Sequence, residues 1–411
     1  MHNEASFPSK GRIWRGRDVP SLERVLLSLS SMKTVGGLRN SNLAFATVCL
    51  LALAPGARAQ TSDEDGLVSA SESKQGSESL RAEAEADSVS WLEPLRYSLD
   101  VSFRASKNPD SSEWPNQLAI GLDFHKVVTS TRGDWGTLVL QGYMTRWGDM
   151  SVPRTFDDGN QWELVFRSFF FNLTPLGRNK PNLRVGHFEI PYGLDYVIDT
   201  QGWLRQTIQA RNVGIRADWG LSVNGTLPAL EYELSLTRGT GHGLRSEGSP
   251  YLVAGRVGTP REARSWLGLS LLQGEVVDPA ATARRRGIPV DARTGDLVRR
   301  FRVGVDVASS LGPLSFLGEA SYGRDFDDAV VNLFAEMNWE ISKTGTLVYA
   351  QARHFSQEFR EDWTKEDVLV LGIRHPLDRH WTLSGSFDYW LHPFGVTGQT
   401  SSFRFQMRCR L

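Results

Sequence analysis

Chemistry beyond binding would have to come from a few side chains of this sequence: the histidines His125, His187, His354 and His375, and some short acidic clusters. A nucleophilic hydrolase needs an imidazole beside a serine and oriented by a carboxylate, and none of these histidines has a neighbouring serine in a recognisable motif. No P-loop, GxSxG, HExxH or Cys/His cluster occurs. Asp325, Asp327 and Asp328 bring three carboxylates into one segment, but without the spacing of a full calcium loop they read as a solvated turn. Of two cysteines, Cys49 falls in a segment expected to be cleaved, which leaves Cys409 without an internal partner. The reading is no enzyme, no metal and no cofactor. With 46 basic and 47 acidic residues and no basic run long enough to coat a phosphate backbone, nucleic acid is excluded as a partner.

What the sequence offers instead is charge in alternation with apolar residues. In Leu95 to Ala105 the series Leu95, Tyr97, Leu99, Val101, Phe103 alternates with Arg96, Ser98, Asp100, Ser102, Arg104, the period of a strand with one greasy and one polar face. Clear copies are Val213, Ile215, Ala217, Trp219, Leu221, Val223 against Arg216, Asp218, Ser222, Asn224; Leu230 to Thr237; and Val331, Leu333, Ala335, Met337, Trp339 against Asn332, Glu336, Asn338, Glu340. Leu138 to Arg146 and Gln161 to Leu173 are apolar on both faces, which marks a bulge or an inward contact. In all, sixteen segments carry the signal: 95–105, 117–128, 135–146, 161–173, 182–190, 213–224, 230–237, 250–257, 265–272, 300–308, 313–322, 329–341, 346–355, 367–375, 380–390 and 400–411.

An even count, and strands of about nine to twelve residues, match a closed antiparallel barrel in lipid. The connections agree, because those after even-numbered segments are short and those after odd-numbered ones mostly long: 148–160, 191–212, 238–249, 273–299, 356–366 and 391–399, with 323–328 the short exception. This parity predicts an all-β transmembrane antiparallel β-barrel of about 16 strands, with short periplasmic turns and long extracellular loops. Trp135, Trp339 and Trp381 sit by short turns, and Tyr143, Trp147, Trp162, Tyr322, Tyr389 and Trp390 toward long loops, as two interfacial girdles require. The last strand runs to an apolar C-terminus at Leu411.

The leader has its own logic. Leu43 to Ala54 is an apolar run too short to span a membrane, preceded by Lys33 and Arg39 and followed by Ala57-Arg58-Ala59, the plan of a secretory signal peptide. The expected organisation is an extension at 1–31 outside the translated protein, with Met32 as initiator; a signal peptide at 32–59; an acidic, disordered periplasmic linker at 60–90; and an outer-membrane barrel at 91–411.

By parity the polar faces carry Arg96, Arg104, Arg167, Arg184, Arg216, Arg256, Arg302, Arg353, Arg404 and Arg408, together with Asp100, Asp123, Glu163, Glu231, Glu233, Asp306, Glu319, Glu336 and Asp388. Sixteen strands leave an aqueous channel rather than a packed interior. The implied function is a porin, a water-filled channel for passive diffusion of ions and small polar solutes, with anion preference as one expectation. Each arginine could equally be held in a structural ion pair, and a non-conducting barrel, adhesive or structural, with ligand-binding loops is the alternative. The tract Arg284 to Arg286 falls in the longest loop, where contact with lipopolysaccharide is expected.

The segment Arg184 to Asp195 (RVGHFEIPYGLD), followed by Asp199 to Gln206 (DTQGWLRQ), resembles the phosphate-selective (O and P type) porin family. The resemblance implies that the third long loop, Pro191 to Asn212, folds into the lumen and narrows it, so that Glu189, Asp195, Asp199, Arg205 and Arg211 act on passing ions, and that the partners are membrane lipid and small solutes, with assembly as a homotrimer. In place of that family's lysines, this barrel carries almost only arginine, and Glu189 stands where a lysine is expected.

Overall fold

The computed structural model describes residues 95–109, 112–130, 133–148, 162–174, 180–197, 204, 205, 207, 212–241, 249–261, 263–278, 296–359, 362–392 and 400–411. The expected leader, linker and Arg284 to Arg286 lie outside the described residues, as do Asp199, Arg211 and the side chains of Trp147, Trp162 and Glu163.

Sixteen strands form one closed antiparallel barrel in which every strand pairs with its sequence neighbours and β1 closes on β16. They are β1 (Leu95–Lys107), β2 (Asn116–Ser130), β3 (Gly133–Gly148), β4 (Trp162–Leu173), β5 (Asn182–Glu189), β6 (Ala217–Leu227), β7 (Leu230–Thr237), β8 (Tyr251–Gly258), β9 (Ser265–Val277), β10 (Leu297–Leu311), β11 (Leu314–Asp325), β12 (Asp328–Ile341), β13 (Thr346–Phe359), β14 (Asp362–Pro376), β15 (Trp381–His392) and β16 (Ser401–Arg410). Among the described residues a short helix, α1 (Gly193–Val197), lies between β5 and β6. Closure uses the chain's end: Leu99 donates its amide to the Leu411 carbonyl at 2.9 Å and accepts from the Leu411 amide at 2.8 Å. No sheet edge is left unpaired, which a structure surrounded by lipid requires.

The alternation is inside out for a water-soluble protein. Leu269, Leu271 and Leu371 are 53 %, 53 % and 63 % exposed on the outer wall, whereas Asp306 and Arg302 have no exposure at all. On β9 and β10 the outward rows pair Leu267 with Val307, Leu269 with Val305 and Leu271 with Val303, one apolar column facing away from the lumen. Leaving such side chains in water would forgo about 1.5–3 kcal/mol each. Hydrocarbon removes that cost, so the belt identifies a membrane barrel. Exposed Trp135, Trp339 and Trp381 stand near one rim, and exposed Tyr322 and Tyr389 toward the opposite rim.

Several sequence expectations are corrected here. Strand β6 starts at Ala217, not 213, and Val213 and Ile215 are buried inside the barrel rather than set on the lipid face. Tyr143 and Trp390 do not belong to the girdle: Tyr143 donates inward to Asp100 at 3.3 Å, and Trp390 packs on the inward Tyr349, Val368 and Val370. The expected long loop at 356–366 is mostly strand, since β13 ends at Phe359 and β14 begins at Asp362. Likewise β9 extends to Val277 and β10 starts at Leu297. These extensions stand at the rim of the apolar belt, where polar residues occupy both faces of a strand and alternation carries no signal. The suspected irregularity in 161–173 is a bulge, because Gln141 pairs with Ser168 and the next residue, Gly142, with Phe166, leaving Arg167 as the extra residue.

Candidate functional site

The lumen holds most of the chemistry, and the loop after β5 organises it. The described parts of loop 190–216 lie against the inner wall of β7 to β12. Ile190, Tyr192, Val213 and Ile215 form one buried cluster with Leu252 and Ala254 of β8, Leu272 and Val276 of β9 and Val298 of β10. A second cluster joins Leu194 of α1 to Phe334 of β12, flanked by Trp266 and Leu317. All of these wall residues occupy inward positions that parity alone would assign to polar side chains. They are the apolar seat on which the loop rests.

Polar contacts then fix its register. The first amides of α1 lack intrahelical partners, as at any helix start, and the wall supplies them: Gly193 donates to Ser270 Oγ at 3.0 Å and Leu194 to Glu319 Oε2 at 2.8 Å. Gly193 has φ 61°, a left-handed conformation that suits glycine. The Tyr192 hydroxyl lies 2.8 Å from Ser321 Oγ, above Gly304, where an added Cβ would come within 2.6 Å of that hydroxyl. Tyr196 donates to Glu233; burial first, and the Glu233 charge second, push its phenol upward, so it stays a donor. At the far end Asn212 Oδ1 accepts from Arg302 Nε at 3.1 Å, Ser321 Oγ at 3.1 Å and Asn332 Nδ2 at 2.9 Å.

Beneath the loop, charges are paired. Arg300 donates to Asp325 at 2.8 and 3.0 Å, to Asp278 at 2.8 Å and to the Val213 carbonyl. Arg302 donates to the same Asp325 at 2.7 Å, and both guanidiniums are fully buried. Asp325 is thus a structural counter-ion rather than part of a solvated turn, a correction to the sequence reading; its neighbour Asp327 is the exposed one. Arg256 binds Asp306 through two bonds of 3.0 and 2.6 Å in the space that Gly268 leaves open. Among the described residues no group of His, Cys, Asp or Glu is placed to hold a metal ion.

The remaining site residues fall as follows. Arg167, on the β4 bulge, donates through two nitrogens to Glu189 at 3.0 and 2.8 Å, and Arg216 reaches Glu189 at 3.3 Å and Asp195 at 3.7 Å, so the two walls meet the loop in one cluster. Arg184 pairs with Glu233 at 2.9 Å and lies over the Phe170 ring. Glu231 is bound by Arg261 at 2.6 Å, and Arg205 donates to Glu336 at 2.8 Å. On the side away from the described loop residues, Arg408 is bonded to Asp100, and Arg404 and Arg353 reach Asp388 at 2.8 and 3.3 Å. Arg104 lies between Arg404 and Arg408 in the register, since it pairs with Gln406, and Arg374 faces inward from β14. Arg96 is exposed at the short-turn end of β1. This wall therefore gathers Arg104, Arg353, Arg374, Arg404, Arg408 and Arg410 around Asp100, Asp123 and Asp388, with Glu340 and Glu366 toward its rims. Charge across the described lumen is asymmetric: carboxylates are in excess around the loop, guanidiniums opposite it.

No protein-family model matches the sequence, and no curated protein sequence matches it. Solved structures do match in fold. The chain resembles OprB of Pseudomonas putida with TM-score 0.56 at 10 % identity, covering 81 % of this chain and 96 % of that one. It resembles the trimer form of OmpT, an outer membrane protein of Vibrio cholerae, with TM-score 0.54 at 10 % identity over 77 % and 99 % of the two chains. An anion-selective porin from Comamonas acidovorans gives TM-score 0.52 at 12 % identity over 77 % and 99 %. At such identities the likeness is one of fold: the chain shares the closed antiparallel barrel of these outer-membrane proteins.

Proposed function

We propose that the chain is an outer-membrane porin, a water-filled channel through which ions and small polar solutes diffuse passively, with anions preferred. The observation that carries this reading is the combination of a sixteen-strand wall, apolar outside and charged inside, with a loop whose described residues are laid against one side of the lumen. Sixteen strands enclose more space than side chains fill, and a loop bound to β7–β12 narrows that space without being part of the wall. Opposed basic and acidic surfaces set a transverse field that orients polar solutes, and the arginine-rich side attracts anions as they pass.

The test is single-channel recording of the refolded chain, beginning at Gln60 after the proposed signal peptide, in a planar bilayer under a KCl gradient. Discrete steps with a reversal potential of anion sign are expected. Replacing Arg104 and Arg374 by glutamine should move that potential toward the cation side. A folded barrel that inserts and stays silent would replace the porin by the non-conducting alternative. The resemblance of Arg184 to Asp195 to phosphate-selective porins adds a finer expectation, that millimolar phosphate blocks the chloride current. Homotrimer assembly, the other family expectation, is read from the mass of the detergent-extracted barrel.

The loop makes a separate prediction. Gly304→Val places a branched side chain where the Tyr192 hydroxyl now lies, an overpacking of about 1–3 kcal/mol directed at the loop rather than the wall. Open-state current is expected to become larger and noisier, with the barrel itself still folded. Unchanged current would show that Tyr192 does not border the narrow passage.

A further inference from the structure

We propose that Ser356, His354 and Asp367 form a serine-hydrolase triad on the outer wall of the barrel, acting on acyl ester bonds of lipids at the long-loop rim. His354 and Ser356 lie two residues apart on β13 and so share a face. Register sets His354 opposite Asp367 of β14, and Asp367 opposite His392 of β15 after a one-residue shift. The same outward rows hold Leu333 beside His354, and Leu369 beside Tyr389, so this face looks toward lipid and not into the lumen.

The distances fit the roles. His354 Nδ1 lies 2.6 Å from Asp367 Oδ1, and His354 Nε2 lies 3.2 Å from Ser356 Oγ. A carboxylate can only accept, so Nδ1 carries the proton, and Nε2 presents its lone pair to the serine hydroxyl. The other carboxylate oxygen accepts from His392 Nδ1 at 2.7 Å, which holds the Asp367 plane in position. Around His354, β14 contributes Asp367 and the exposed Lys365, β15 contributes His392, and β12 only the uncharged Val331 and Leu333. Lys365 stands opposite Ser356 in the register, a cation on the same face for a developing oxyanion. Ser356 is recessed in the wall, at 9 % exposure.

Depth names the substrate class. Exposed Tyr389 lies one outward step toward the belt from Asp367, and exposed Trp363 two outward steps the other way. Tyrosine and tryptophan settle at the headgroup level, and the acyl esters of lipids lie there. In the reaction, Ser356 Oγ attacks the ester carbonyl while its proton passes to His354 Nε2; collapse of the tetrahedral adduct expels the alcohol, which takes that proton. Water, deprotonated by His354, then cleaves the acyl-serine. The sum is ester plus water giving fatty acid plus alcohol, with no other reactant.

The experiment uses the full refolded chain in phospholipid vesicles carrying a fluorogenic acyl-ester phospholipid, with labelling by hexadecanesulfonyl fluoride mapped by mass spectrometry. Hydrolysis and a label on Ser356 are expected. Ser356→Ala and His354→Ala should each lower turnover by about 10³-fold or more, with heat-modifiable mobility and channel current unchanged because the triad lies outside the lumen. Asp367→Asn should shift the pH profile of turnover, which a purely structural aspartate would not. A folded wild-type barrel that neither hydrolyses nor takes the label overturns the proposal, as does turnover untouched by Ser356→Ala. Neither result depends on whether the barrel conducts.

Discussion

Replacing Asp325 by alanine is expected to destabilise the folded barrel by about 3–5 kcal/mol, because it leaves buried positive charge without its counter-ion. Three of the bonds made by Arg300 and Arg302 end on this one carboxylate, at 2.7 to 3.0 Å, and neither guanidinium is exposed. Asp278 would remain as the one carboxylate bonded to the pair, with Asn212 and backbone carbonyls as uncharged acceptors, a single negative charge for two cations. Folding into detergent micelles, followed against urea by the heat-modifiable band, measures the loss. Asp327→Ala, two residues away, is the internal control: its pair with Arg299 is exposed and long at 3.4 Å, and exposed pairs contribute about 0–1 kcal/mol. Equal effects at the two positions would refute the burial argument.

The same substitution reaches the loop. Arg300 donates to the Val213 carbonyl and Arg302 to Asn212, so the pair clamps the loop's return to β6. A double variant, Asp325→Ala with Arg302→Met, removes one orphaned charge together with the carboxylate and should recover part of the stability. It should not recover the Asn212 contact, so the loop stays loosened while the wall refolds. That separation distinguishes the strength of the wall from the seating of the loop.

Much of this architecture is legible in the alternation of the chain, and the reasons for the failures are physical. All sixteen strands occur where period two predicts them, because a wall between lipid and water imposes opposite demands on successive residues. Strand ends were underestimated where polar residues occupy both faces, as at Ser356–Phe359 and Asp362–Glu366. The loop's destination was expected from a short motif, but the seat left its own signal: Leu252, Ala254, Leu272, Val298 and Phe334 are apolar at inward positions. Phe334 breaks the polar row of Asn332, Glu336 and Asn338, and such a break marks something packed inside. Val213 and Ile215 mimicked strand alternation because they too bury one side, against the inner wall instead of lipid. Tyr143 and Trp390 were misplaced because an aromatic near a strand end says nothing about its face until the parity is fixed. Most of the inward arginines are ion-paired, which parity could not decide, since partners come from strands distant in sequence, such as Asp100 and Arg408. The triad was hidden for the same reason: His354 and Ser356 at a spacing of two were visible, but Asp367 and His392 meet them only through the register.

Leu371→Arg tests the inside-out wall itself. Leu371 is 63 % exposed between Leu369 and Ile373 on the outward row of β14, far from either end of the belt. In a water-soluble protein an arginine at so open a site would be close to neutral and would aid solubility. In hydrocarbon it costs about 2–4 kcal/mol near the midplane, which is a fall of about thirtyfold to several hundredfold in the folding constant. The measurement is folding yield into vesicles of fixed thickness, with Leu371→Ala as the reference for lost side-chain volume alone. The alanine variant should insert nearly as well as the parent, since lipid chains fill the space that a core would leave as a cavity. If the arginine variant instead becomes soluble and stays folded without detergent, the outer face is wetted by water, and the membrane reading of the whole barrel is lost.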